Sequence, residues 1–318
     1  MLLFASMVVF AVTALSSQDI SAAGPFVALR GTWTKAADAK APVVLIIPGS
    51  GPTDRDGNSP LGVNASSYRL LSEGLGSKGI STVRVDKRGM YGSADAVPDA
   101  NAVTINNYVS DTRTWVKAIR SATGTDCVWL LGPSEGGLVV LSTAQEEPHI
   151  CGLILVATPG RPFGDILKEQ LRNNPVKAPL LSSADAAIDT LAAGKHVDNT
   201  ELPAALTPLF DSAIQDFLIS AFSINPGELA KHIAKPILIL QGERDLQISV
   251  EDALALKAAA PSAKLVRLPD ANHVLKAVPS NDAEANITTY TDPGLPLASG
   301  IIEAISDFVR STEDKHQR

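Results

Sequence analysis

Short apolar runs, each closed by a turn rich in glycine or proline and followed by a helical stretch, constrain this chain more than any other feature. Residues 43–47 (Val-Val-Leu-Ile-Ile) lead into Pro48-Gly49-Ser50-Gly51-Pro52, and residues 128–131 (Val-Trp-Leu-Leu) lead into Gly132-Pro133-Ser134-Glu135-Gly136-Gly137. Similar runs occupy residues 82–85, 153–157, 237–240 and 264–268. A strand without polar alternation is buried on both faces, as inside a parallel sheet. Between the runs, residues 68–78, 108–120, 138–145, 250–259 and 301–309 carry apolar side chains at helical spacing. Strands alternating with helices predict an α/β fold, a mostly parallel central sheet covered by helices on both faces. The rhythm breaks once. Residues 161–234 hold only helical segments such as 165–172 and 206–222, and so read as an insertion dividing the core into residues 24–160 and 235–318.

Composition narrows the function classes. The 318 residues are 45% apolar and 19% charged, with a net charge of −7, which excludes a disordered chain. Lysines and arginines are scattered, so no nucleic-acid partner is expected. Five histidines and two cysteines are too few and too dispersed for a zinc framework. Residues 2–15 are uncharged and apolar and precede Ser16-Ser17 and Ser21-Ala22-Ala23, so residues 1–23 read as a secretory signal peptide cut after Ser16 or Ala23. No basic residue precedes Arg30, a departure from the usual leader. The mature chain is expected in the periplasm or outside the cell, with no membrane span. Cys127 and Cys151 each stand just before an apolar run. On neighbouring parallel strands their sulfurs would lie at equivalent heights, and they read either as a disulfide or as two buried thiols.

In open α/β sheets, ligands bind beyond the carboxyl ends of the strands, so the residues just after each run are the informative ones. Gly132-Pro133-Ser134-Glu135-Gly136 is a Gly-x-Ser-x-Gly sequence at a strand-to-helix junction, a sharp turn that exposes the serine and tolerates only small flanking residues. The helix that follows sets backbone N–H groups, notably that of Glu135, beside the serine oxygen. Neither a Walker loop nor a dinucleotide fingerprint accounts for these glycines. A serine hydroxyl is a weak nucleophile and needs a base oriented by an acid. Asp245 follows the run at 237–240, and His273 follows the run at 264–268. The chain order Ser134, Asp245, His273 is the one that accompanies this turn. Glu243 and Asp270 compete for the acid role, but Asp270 is too near His273 in sequence to reach its outer nitrogen easily. His149, His196 and His232 lie away from carboxyl strand ends, and His316 is in the polar tail.

These residues together resemble the α/β-hydrolase family, from about Gly31 onward. Pro48-Gly49-Ser50-Gly51-Pro52-Thr53-Asp54-Arg55-Asp56 is similar to the His-Gly-Ser-Gly-Pro-x-Asp-Arg-Asp segment of a bacterial esterase subfamily, with Pro48 replacing the histidine. Asp86-Lys87-Arg88-Gly89-Met90-Tyr91-Gly92-Ser93 is similar to that group's Asp-x-Arg-Gly-x-Gly-x-Ser loop. Ser134-Glu135-Gly136-Gly137 matches its elbow, with Pro133 where histidine is common. The resemblance implies an α/β-hydrolase fold in which residues 161–234 cap the serine, with Leu206, Leu209, Phe210, Ile214, Phe217, Leu218 and Phe222, which recur at helical spacing, either docking the cap or lining an acyl pocket. It also implies a serine carboxylesterase without cofactor or metal. Ser134 would be the nucleophile, His273 the base, Asp245 the orienting acid, and the N–H groups of Ser50 and Glu135 the oxyanion hole. The expected partner is a small, uncharged, short- to medium-chain ester, cleaved through an acyl-enzyme. A peptidase or thioesterase of the same fold is the alternative within this chemistry, and a non-catalytic binding protein the alternative outside it. Asp54, Arg55, Asp56, Asp86 and Arg88 read as an ion-pair network fastening loops rather than a site for a substrate carboxylate.

Overall fold

The structure of the chain, a computed structural model, describes residues 16–173, 175–280 and 282–316. In chain order the first half comprises strands β1 (Ser16–Ala22), β2 (Leu29–Lys35), β3 (Val43–Ile46), β4 (Asn58–Ser59) and β5 (Val63–Asn64), helix α1 (Ser67–Ser77) and β6 (Ser81–Val85). Helix α2 (Ile105–Thr123), β7 (Val128–Pro133), α3 (Glu135–Thr143) and β8 (Ile150–Val156) follow. Helices α4 (Phe163–Arg172), α5 (Leu181–Ala192), α6 (Gln215–Phe222) and α7 (Pro226–Lys231) then precede β9 (Ile237–Gly242), α8 (Val250–Ala259), β10 (Lys264–Leu268), α9 (Ala283–Thr288) and α10 (Ile301–His316).

Eight strands form one sheet in the order β1-β2-β6-β3-β7-β8-β9-β10, parallel from β6 to β10, with β2 and β1 added antiparallel at one edge. The chain starts its parallel part at β3, steps to β6 on one side, then crosses to β7 on the other. That reversal opens a crevice at the carboxyl ends of β3 and β7, the place where such sheets hold ligands. The pleat sends alternate side chains to opposite faces. Val43, Leu45 and Ile47 join a core with α2, α3 and the inserted helices, while Val44 and Ile46 join a second core with α1 and α10. Trp129 anchors the second core edge-to-face on Phe308, 5.5 Å between centroids. Helix α2 starts from a Thr104–Asn107 capping box and stops at Gly124, whose φ of 73° suits a residue without Cβ.

Cys127 and Cys151 are joined by a disulfide at the amino ends of β7 and β8. The ladder between these strands shifts register just there, with Val128 opposite Ile150 and Trp129 opposite Gly152. Residues 1–15 of the expected leader lie outside the described residues, but Ser16–Ala22 form β1, paired along its whole length with β2. The leader boundary at residue 23 therefore falls beyond an edge strand of the sheet. Among the described residues, no helix is long and apolar enough to cross a membrane, and no cluster of three His, Cys, Asp or Glu side chains could hold a metal ion.

Candidate active site

The turn between β7 and α3 holds Ser134 at φ 52° and ψ −124°, a conformation that costs a non-glycine residue about 1–3 kcal/mol. The surrounding backbone over-determines it. The Ser134 N–H donates to the Val156 carbonyl at 2.8 Å, and the Gly137 N–H donates to the Ser134 carbonyl at 2.9 Å. A Cβ on Gly132 would lie 2.3 Å from the Gly136 carbonyl oxygen, and one on Gly136 would lie 2.3 Å from that of Ile47, so neither position admits a side chain. The turn is thus clamped between β8 and the loop after β3, with the serine at its apex.

His273 lies on the loop after β10, with its Nδ1 2.8 Å from Asp245 Oδ2 on the loop after β9. The other Asp245 oxygen accepts the N–H groups of Gln247 at 2.7 Å and Ile248 at 2.9 Å, which fixes the carboxylate. Its side chain is 1% exposed and that of His273 is 12% exposed. The competing acids are elsewhere: Glu243 pairs with Arg267 at 2.8 Å, and Asp270 is exposed. His196 pairs with Asp216 on the surface.

Ser134, His273 and Ser50 line one cavity of about 540 Å³. A more open groove of about 940 Å³ runs along α2 and contains none of these residues. The N–H of Glu135 is the first of α3, beyond the reach of the helix's own ladder. Gly49, which precedes Ser50, is held at both ends. Its N–H donates to the Tyr68 hydroxyl at 3.2 Å, and its carbonyl accepts from Lys87 Nζ at 2.7 Å. Burial pushes the Tyr68 phenol up to about 12, partly offset by the Gly49 N–H. Sequence reasoning assigned no role to the side chains of Tyr68, Lys87 and Glu135. The available signal was a lysine two residues past the run at 82–85 and a glutamate next to the elbow serine.

The charged loops are internally paired. Arg55 meets Asp86 with Nε to Oδ2 at 2.9 Å, Arg84 meets Asp56, and Arg88 meets Asp111 with Nε to Oδ2 at 2.6 Å. Asp54 accepts the N–H groups of Asp56 and Asn58, each at 2.8 Å. Burial raises the Asp111 carboxyl, and the Arg88 guanidinium counteracts it.

The cavity roof differs from the expected cap. Among the described residues, none from 161–234 lines it; the walls come from the β4–β5 hairpin, from Leu246 and Gln247, and from Val274, Leu275, Ile287 and Tyr290. The inserted helices use their apolar faces otherwise. Leu206, Phe210, Leu218 and Phe222 are buried in the core beside α2 and α3, Phe217 packs edge-on against Tyr108, and Ser220 Oγ accepts the Ile105 N–H at 3.1 Å. The insertion therefore covers a flank of the sheet. Leu61, Leu246 and Ile287, at 77%, 51% and 59% exposure, stand at the cavity itself. Apart from the His273 imidazole, the lining among the described residues carries no ionisable acid or base other than tyrosine.

Comparison with known proteins agrees with this architecture. A family model described as serine aminopeptidase, S33, matches residues 61–200. Esterase EstD of Thermotoga maritima is 25% identical over 237 residues, which are 74% of this chain and 54% of that protein, so the chain spans about half the length of this curated relative. Est1E from Butyrivibrio proteoclasticus, solved with ferulic acid bound, superposes with a TM-score of 0.59 at 18% identity, covering 93% of this chain and 99% of that one. The Pyrococcus furiosus esterase Pf2001 superposes with a TM-score of 0.57 at 16% identity, covering 93% of each chain. With a mostly parallel eight-stranded sheet, helices on both faces and a serine at the strand-to-helix elbow, the chain has the α/β-hydrolase fold.

Proposed function

We propose that this protein is a serine hydrolase that cleaves carboxylic esters with an uncharged, apolar acyl or alcohol group. The observation that carries the reading is His273, paired with Asp245 at 2.8 Å and opening with Ser134 onto one cavity without charged side chains among its described lining. Ser134 Oγ attacks the ester carbonyl while His273 Nε2 takes its proton, and Asp245 holds the imidazole by Nδ1. The N–H groups of Ser50 and Glu135 receive the oxyanion. The alcohol leaves with the proton from His273, and water repeats the sequence on the acyl-enzyme to release the acid. An aminopeptidase would need a carboxylate for the substrate ammonium, and a thioesterase for coenzyme A esters would need cations for phosphate. The described lining offers neither, which favours an ester. The volume suits a short- to medium-chain acyl group.

Initial rates on p-nitrophenyl acetate, butyrate, octanoate and palmitate, with Ser134→Ala alongside and fluorophosphonate labelling of both proteins, test the proposal. The expected outcome is cleavage of the shorter esters and labelling by the wild type only. A wild type that neither turns over nor labels would make the chain a binding protein. Labelling with peptide but not ester cleavage would make it a peptidase. We also infer export, supported by the Cys127–Cys151 bond, which suits an oxidising compartment. Processing after Ser16 keeps β1 in the sheet, whereas processing after Ala23 removes it. Amino-terminal sequencing of the periplasmic protein should therefore begin at Ser17; recovery of the chain only from the cytoplasm would overturn export.

A further inference from the structure

Two buried charges behind the site are left unused by the proposed chemistry. Lys87, two residues beyond β6, and Glu135, just after the serine, have side chains 4% and 1% exposed, with Nζ 3.7 Å from Oε1. The ammonium lies 5.2 Å from the Tyr108 ring centroid and donates to the Gly49 carbonyl at 2.7 Å. Among the described residues, neither Glu135 carboxylate oxygen has a hydrogen-bond partner, so Lys87 is the counter-charge that accounts for this buried anion. Burying such a pair is costly, and a hydrophobic pair of similar size would stabilise the fold as well or better. A pair kept here needs another reason.

The peptide plane supplies one. The Gly49 carbonyl and the Ser50 N–H are the two ends of a single planar amide. Whatever grips the carbonyl therefore sets the direction in which the N–H points. Lys87 grips it through Nζ; burial disfavours the ammonium and Glu135 counteracts that, and the donated hydrogen bond polarises the amide and strengthens its N–H as a donor. The other end of the ion pair is Glu135, whose own backbone N–H is the second proposed donor. Through its hydrogen bond to Gly49 and its ion pair with Glu135, Lys87 thus ties together the two loops that carry the two oxyanion donors, at a position where Pro48 cannot contribute a side-chain donor.

We propose that Lys87 and the Glu135 side chain are positioning residues for the oxyanion hole, acting through the Gly49–Ser50 peptide. The inference rests on the ester-hydrolase reading. The test compares wild type with Lys87→Met, Glu135→Gln and the double variant, in which no charge is left buried alone; thermal melting identifies the folded proteins. For each folded variant, kcat on p-nitrophenyl butyrate should fall by roughly ten- to a hundredfold, with KM within about twofold of wild type. Affinity for an alkyl boronic acid, which places an oxygen in the hole as a tetrahedral adduct, should fall in parallel. Affinity for the product acid's neutral amide should hold. A folded double variant with wild-type kcat overturns the proposal, as does a kcat loss without selective loss of boronate affinity. Unfolding of both single variants and the double variant would also overturn it, since the pair would then serve the fold. A wild type that neither hydrolyses esters nor labels at Ser134 removes the hydrolase reading itself, an outcome distinct from these.

Discussion

At the scale of single residues, the position of the proposed nucleophile is where local preference and proposed chemistry disagree most. Ser134 adopts a positive φ that a glycine would accept without strain. Ser134→Gly should therefore raise stability by about 1 kcal/mol, or the melting midpoint by roughly 2–4 °C, while abolishing hydrolysis. Calorimetry on this variant beside Ser134→Ala separates relief of strain from loss of the hydroxyl, because alanine keeps the Cβ. An unchanged midpoint would mean that the elbow holds no strain. Much of this site is legible in the sequence, since Ser134, Asp245 and His273 each lie within a few residues of the carboxyl end of a strand, and strand ends are where such folds place ligands. The Lys87 contact is not. It depends on the distance between two loops joined by no sequence pattern, and only the folded sheet brings them together.

At the scale of elements, the disulfide and the roof make separate demands. The Cys127–Cys151 bond closes a 24-residue separation at the end of β7 opposite the elbow. The double Cys127→Ala, Cys151→Ala variant should lose about 3 kcal/mol of stability with its kcat little changed, as read from chemical denaturation and initial rates. A large kcat loss in the folded variant would mean that the bond reaches the site. The apolar roof should govern substrate choice instead. Leu246→Asp is expected to raise KM for p-nitrophenyl butyrate roughly tenfold, and an unchanged KM would exclude that wall from the acyl or alcohol subsite. The roof also marks where periodicity runs out. Helical spacing in 206–222 identifies an apolar face but not what that face meets, and here it meets α2 and α3. The two-residue strands β4 and β5, which wall the cavity, are too short to leave a repeating pattern. Strand β2 escapes for a related reason: Arg30, Gly31 and Thr32 interrupt its apolar character near an edge that only β1 covers.

At the scale of the whole molecule, all four tyrosines are biased toward the neutral phenol. Burial raises Tyr68 and Tyr290 to about 12 and pushes Tyr108 higher still; Tyr91 is raised more modestly. A group raised in the fold contributes stability that is fully present below its unfolded value, here ~10, and is lost as pH rises through the folded value. The fold should hold to about pH 10 and then weaken toward pH 12. Tyrosinate absorbance should appear together with the loss of far-ultraviolet dichroism, and ionisation of the buried phenols well before unfolding would contradict the packing described for Tyr68 and Tyr108.

The uncharged cavity has a consequence for what leaves it. On the proposed chemistry, ester cleavage would turn a neutral guest into a carboxylate anion, inside walls that among the described residues offer no lysine or arginine and within a molecule of net charge −7. The N–H groups proposed for the oxyanion hole would then be its partners, and with no lysine or arginine in the described lining they should hold a finished carboxylate less well than the oxyanion of the transition state. The acid half of each substrate should therefore be ejected as soon as it forms, with an inhibition constant roughly tenfold or more above the KM of its ester. Progress curves that stay straight as the acid accumulates would show an enzyme suited to emptying a pool of ester rather than to sensing its product.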